Sequence, residues 1–114
     1  MDIDLDLYRH EVRVSANPLV RLSAIDISPD HPQRTFVFIH GFGGQAGQWH
    51  YQLQKFSIEN RVVALDLRGH GLSDKPRRGY DMPQLVSDLE TRGVADAKVV
   101  GHATLAQTIS VRLV

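Results

Sequence analysis

From Thr35 onward the chain alternates between short unbroken apolar runs and stretches with helical spacing. Thr35-Phe36-Val37-Phe38-Ile39 is a continuous β-branched and aromatic run, and Arg61-Val62-Val63-Ala64-Leu65 and Lys98-Val99-Val100 repeat the pattern. A strand reads this way when both its faces are covered, because neither alternating set of side chains meets water. Between the first two runs, Gln48 to Phe56 carries Trp49, Leu53 and Phe56 at helical spacing. Between the second and third, Pro83 to Arg92 sets Leu85, Val86 and Leu89 on one face, and Gly93 stands where a helix would end. A last helix is expected from Thr104, with Leu105, Ile109 and Leu113 in register. Strands and helices alternating in this order predict a mainly parallel sheet with right-handed crossovers.

The front of the chain follows a different rule. Leu5, Leu7, His10, Val12 and Val14 alternate imperfectly over residues 5–15, and Leu22, Ile25 and Ile27 suggest a second strand after the turn-like Asn17-Pro18. Asp30-His31-Pro32 closes it. We read an antiparallel hairpin over about residues 4–28 and a βαβαβα core over about 35–114, together one domain. If the Lys98–Val100 strand is central, one of its edges finds no partner in this chain, and such edges invite self-association.

Composition narrows the function classes. The 114 residues carry 13 basic and 13 acidic side chains and a formal net charge of zero, which gives no long-range attraction to nucleic acid or an anionic membrane. Arg68, Lys75, Arg77 and Arg78 are interleaved with Asp66, Asp74 and Asp81, and read as a solvated loop. There is no cysteine, so disulfide and thiol chemistry drop out. His31, His40, His50, His70 and His102 lack the compact spacing of metal ligands. No segment approaches the roughly 20 apolar residues of a membrane span. The start, Met1 to Arg9, is acidic where a secretory signal would be basic. A soluble, cytoplasmic protein without metal or cofactor is the expectation.

The candidate chemistry lies in Gly41-Phe42-Gly43-Gly44-Gln45-Ala46-Gly47, between a covered strand and a helix. Glycines there let backbone amides approach an anion. One reading is a dinucleotide loop, with Gly41, Gly43 and Ala46 in G-x-G-x-x-A form and Asp66 placed for a ribose hydroxyl. Against it stand bulky His40, Phe42, Trp49 and Tyr51, the two strands ahead of the loop, and Arg68-Gly69-His70-Gly71 after the acid.

The other reading comes from three motifs in order. Phe38-Ile39-His40-Gly41-Phe42-Gly43-Gly44, Asp66-Leu67-Arg68-Gly69-His70-Gly71-Leu72-Ser73-Asp74 and Val99-Val100-Gly101-His102 together resemble the α/β-hydrolase superfamily. The resemblance implies a truncated three-layer α/β sandwich and a relationship to hydrolases of esters, epoxides or C–C bonds in small hydrophobic substrates. It implies an oxyanion hole from the N–H groups of Phe42 and Thr104, supported by His40, Gly41, Gly43, Asp66, Gly101 and His102. It also places the nucleophile at residue 103, after the fifth strand. That residue is Ala103, and Leu105 stands where a second elbow glycine is expected.

Residues 105–114 contain no Asp, Glu or His to serve as triad acid or base. The helix before Gly93 is shorter than the family's. The resemblance therefore implies a chain that is catalytically inactive alone. The rival classes are a non-catalytic ligand- or partner-binding module and the dinucleotide reading. His70, Ser73 and Asp74 stand close together but read as turn-forming residues rather than a substitute triad. His102 reads as a packed histidine, and Trp49 and Phe56 as core.

Overall fold

The computed structural model describes residues 3–41, 43–90 and 98–101. Strands β1 (Arg9–Ala16) and β2 (Leu19–Ile27) precede β3 (Thr35–Ile39). A 3-10 turn (Ala46–Trp49) leads into helix α1 (His50–Phe56), then β4 (Arg61–Leu65), α2 (Met82–Glu90) and β5 (Lys98–Gly101). They form one five-stranded sheet in the order β1-β2-β4-β3-β5. β3 pairs in parallel with β4 and with β5, whereas β1–β2 and β2–β4 are antiparallel. The core strands are parallel as expected. The hairpin extends the sheet beyond β4, which makes it mixed.

After β3 the chain steps to one side to form β4 and then returns past β3 to form β5. Right-handed crossovers in opposite directions must run over opposite faces. Accordingly Leu53 of α1 packs with Phe38, Val62 and Ala64, while Leu85 of α2 packs with Val37, Ile39, Val63 and Leu65. Alternate residues of the same strands thus feed two cores. This is why the β3 and β4 runs are apolar without a break, and why the domain has three layers. Aromatic packing of Phe38 against Trp49 and Phe56, with centroids 5.4 and 6.2 Å apart, holds the α1 side together. At the base of β4, Arg61 makes a two-point ion pair with Asp26, at 3.1 and 2.9 Å. That hydrogen bonding raises the Arg61 pKa against the opposing cost of burial.

The hairpin begins later than its alternation suggests. Residues Leu5–Tyr8 form a 3-10 turn, and β1 starts only at Arg9. The Asp4 carboxylate accepts a hydrogen bond from the Asp6 amide at 3.1 Å, the local side-chain capture by which aspartate competes with a strand ladder. The second predicted helix spans Met82–Glu90, and its expected end at Arg92–Gly93 lies outside the described residues. So does the helix expected from Thr104.

Candidate active site

In an open α/β sheet, ligands bind beyond the carboxyl ends of the strands where the chain changes direction. Here that point is the end of β3, flanked by the end of β5, with Ile39 level with Gly101. Gly101 permits the approach, because a Cβ there would collide with the Ile39 carbonyl oxygen. The glycine-rich segment therefore leaves β3 at the switch point. It folds as a turn closed by the Gly44 amide donating to the Gly41 carbonyl at 2.9 Å, with Gly43 at φ +88°.

Asp66, the first residue after β4, pins this segment. It is 1% exposed, and its Oδ1 accepts from the Ala46 amide at 2.7 Å. Its Oδ2 accepts from the Leu72 amide at 2.9 Å and from Arg9 Nη1 at 3.1 Å. One carboxylate thus joins the glycine segment, the loop after β4 and the hairpin. The 66–74 loop wraps so closely around it that a Cβ on Gly71 would strike the carboxylate. An aspartate occupied in this way is not offered to a ribose, so the dinucleotide reading loses its sugar ligand.

Two histidines add further ties. His40 is fully buried; its Nδ1 meets the Gly41 carbonyl at 2.7 Å and its Nε2 meets the Leu67 amide at 2.9 Å. His70 Nε2 meets the Gly43 amide at 2.9 Å, and its Nδ1 meets the Arg68 carbonyl at 3.1 Å. Carbonyl oxygens only accept and amides only donate, so both rings are assigned as neutral imidazoles with the proton on Nδ1. Their centroids lie 4.8 Å apart.

His70, Ser73 and Asp74 do not converge. Ser73 is 3% exposed, donates to the Asp66 carbonyl at 2.5 Å and accepts from the Ser23 amide at 2.8 Å. Asp74 faces β2 and accepts from the Arg21 amide at 2.8 Å. That backbone hydrogen bond, against an opposing desolvation cost and with help from the Arg21 side-chain hydrogen bond and the Arg21 and Lys75 charges, lowers the Asp74 pKa. The turn-forming reading of these residues fits their partners.

The solvated-loop reading of the 66–81 segment holds only in part. Arg77 and Arg78 are exposed, but Asp66 and Arg68 are buried. Arg68 makes a two-point ion pair with Asp88 of α2, both contacts at 2.8 Å. Sequence reasoning missed this pair, although one signal was present. Asp88 stands three residues after Leu85 and one before Leu89, on the apolar face of a helix, where a solvated carboxylate does not belong.

The structure brings His40, Gly41, Gly43, Asp66 and Gly101 to the carboxyl end of the sheet. Phe42, His102, Ala103 and Thr104 lie outside the described residues. Among the described residues no group of three His, Asp or Glu side chains could hold a metal ion, and no helix is long and apolar enough to cross a membrane.

A family model described as the alpha/beta hydrolase family matches residues 36–106, which takes in all three motifs. The chain belongs to the α/β-hydrolase family. This α/β-hydrolase is 42% identical over 94 residues to epoxide hydrolase 3 of Xenopus tropicalis, covering 75% of the chain and 26% of that relative. It is 40% identical over 72 residues to human epoxide hydrolase 4, covering 58% of the chain and 20% of that protein. Among solved structures, Cfl2 of Burkholderia cenocepacia superposes with a TM-score of 0.79 at 26% identity, over 91% of the chain and 36% of that structure. An epoxide hydrolase from Vigna radiata superposes with a TM-score of 0.73 at 25% identity, over 92% of the chain and 34% of that structure. The chain therefore spans about a fifth to a quarter of these curated relatives and about a third of these structures.

Proposed function

We propose that this chain carries the oxyanion-loop half of an α/β-hydrolase core and does not by itself hydrolyse esters, epoxides or C–C bonds. One observation carries the reading: the residue two positions after the end of β5, where the family's nucleophile stands, is Ala103. A methyl group has no lone pair with which to attack carbon, and no neighbouring base can activate it. Residues 105–114 add no Asp, Glu or His, so they supply no acid or base for a triad. In this reading the amides of Phe42 and Thr104 are the two oxyanion donors. His40, Gly41, Gly43, Asp66, Gly101 and His102 form their support, and the substrate of a complete site is a small hydrophobic molecule. Epoxide hydrolases among the relatives favour that substrate class.

The test uses the purified chain and its Ala103→Ser and Ala103→Asp variants, which restore the two short oxygen nucleophiles. With p-nitrophenyl acetate and styrene oxide as probes, all three proteins are expected to match the buffer rate. Ester or epoxide turnover by the unaltered chain, or by either variant above it, would sink the proposal.

A second reading, a partner-binding module, is favoured by the sheet edge. Among the described strands β5 pairs only with β3, and in this reading a strand from a second copy pairs with its other edge. Sedimentation velocity is expected to show a dimer that dissociates on dilution. A monomer throughout the micromolar range removes this reading.

A further inference from the structure

We infer that a cavity beside the β1–β2 turn binds a small amphipathic anion, an apolar chain ending in a carboxylate or phosphate. Its volume is about 520 Å³, within the roughly 300–1,000 Å³ that small-molecule sites occupy. Val14 and Val20 of the hairpin, with Pro18 and Pro76, give it an apolar lining. Val20 is buried and Val14 packs against the same core, so the sheet fixes this part of the wall. Arg77 and Arg78 also line the cavity and are exposed, and among the described residues no acidic side chain lines it. None of the lining residues belongs to the glycine-rich segment, so the inference does not rest on the proposed oxyanion loop.

The two arginines stand on a segment that is already held in place. The Tyr80 hydroxyl donates to the Pro76 carbonyl at 2.6 Å, which closes residues 76–80 into a loop. Arg68 Nη1 donates to the Arg78 carbonyl at 3.2 Å and ties that loop to the buried Arg68–Asp88 pair. Gly79 permits the close approach: its φ is +91°, and a Cβ there would strike the Arg68 guanidinium. A site ordered in this way loses less freedom when a ligand enters. The nearby carboxylates are engaged: Asp88 accepts from Arg68 and Gln84, Asp74 from Arg21, and Asp81 from the Gln84 amide. Among the described residues no carboxylate pairs with Arg77 or Arg78. A planar guanidinium fork matches carboxylate and phosphate alike. An exposed ion pair alone contributes little, so the ligand also needs an apolar body to fill the cavity.

The test follows the backbone amides of the isotope-labelled chain by NMR while octanoate, octyl phosphate, octanol or inorganic phosphate is added. Octanoate or octyl phosphate is expected to shift Ser15, Val20, Gly79 and Gln84 saturably, and the tighter of the two names the head group. Val62 and Ala64, which face the α1 side of the sheet, are expected to stay unmoved. Octanol and inorganic phosphate each carry half of the ligand and are expected to bind about tenfold more weakly or worse, the scale of one charge-assisted hydrogen bond. Arg77→Gln with Arg78→Gln is expected to weaken the anion by a similar factor. Arg77→Glu with Arg78→Glu is expected to reverse the preference, so that octylamine binds in place of octanoate. The inference is overturned if neither anion gives a saturable shift, or if the shifts lie away from the cavity. Octanol binding as tightly as the anions overturns it too, as does unchanged affinity in either double variant.

Discussion

Replacing Asp88 with alanine is expected to cost about 3–5 kcal/mol of stability, the scale for breaking one half of a buried ion pair. Arg68 and Asp88 are 5% and 1% exposed and meet through two contacts at 2.8 Å. Asp88 also accepts from Gln84 at 3.0 Å, and Arg68 donates to the Arg78 carbonyl at 3.2 Å. The pair locks α2 to the loop after β4. Without the carboxylate, the guanidinium is left in a low-dielectric setting that no longer neutralises it. Domains of this size have a total stability of about 5–15 kcal/mol, so the variant should sit close to unfolding. Its urea midpoint should fall by roughly 2 M.

The double variant Arg68→Met with Asp88→Leu removes both charges and keeps the volume. It is expected to be more stable than Asp88→Ala alone, since most of the single-variant cost is the orphaned charge. A midpoint for Asp88→Ala within about 0.3 M of the parent, on the same slope scale, would show that the pair contributes little.

Asp66→Ala is expected to cost nearly as much and to act on the site itself. Three donors converge on this carboxylate, the Ala46 amide, the Leu72 amide and Arg9 Nη1. Each hydrogen bond to a charged acceptor is worth about 1.5–3 kcal/mol, and a buried donor left without a partner adds its own penalty. Shared partners make these losses less than additive, so about 4 kcal/mol is the expected total. Asp66→Asn should retain about half, because its one carbonyl can serve one amide while its NH2 faces another donor. Amide exchange separates a local from a global effect. Ala46 and Leu72 should lose protection before Val63 and Ala64 of β4 do. Full protection of Ala46 in the alanine variant would refute the pinning role given to Asp66.

The parts of the fold that were legible share a physical property. Phe36 to Ile39 and Val62 to Leu65 are continuous apolar runs because helices cover both faces of β3 and β4, and that covering is written into consecutive residues. Leu53 and Leu85 revealed their helices through spacing that only the neighbouring turn determines. The same local logic misplaced the start of β1. Alternation in Leu5-Asp6-Leu7 has the period of a strand, but Asp4 captures the Asp6 amide and bends the segment into a turn. The period records which side chains point the same way, and it does not register a hydrogen bond that competes with the ladder.

For the site, the sequence supplied the residues and withheld their partners. Gly41, Gly43, His40 and Asp66 stood out through motif and position. The three-layer fold and the family followed from patterns within a few residues of one another. That Asp66 holds the glycine segment, that His70 reaches Gly43, and that Arg68 is buried against Asp88 were decided only by the tertiary structure. Those partners are 20, 27 and 20 residues apart, and Arg9 reaches Asp66 across 57. Local periodicity reflects burial of adjacent turns and pleats. A polar side chain leaves no comparable periodic trace of its partner, because that partner is chosen by which loops the folded sheet brings to the same end.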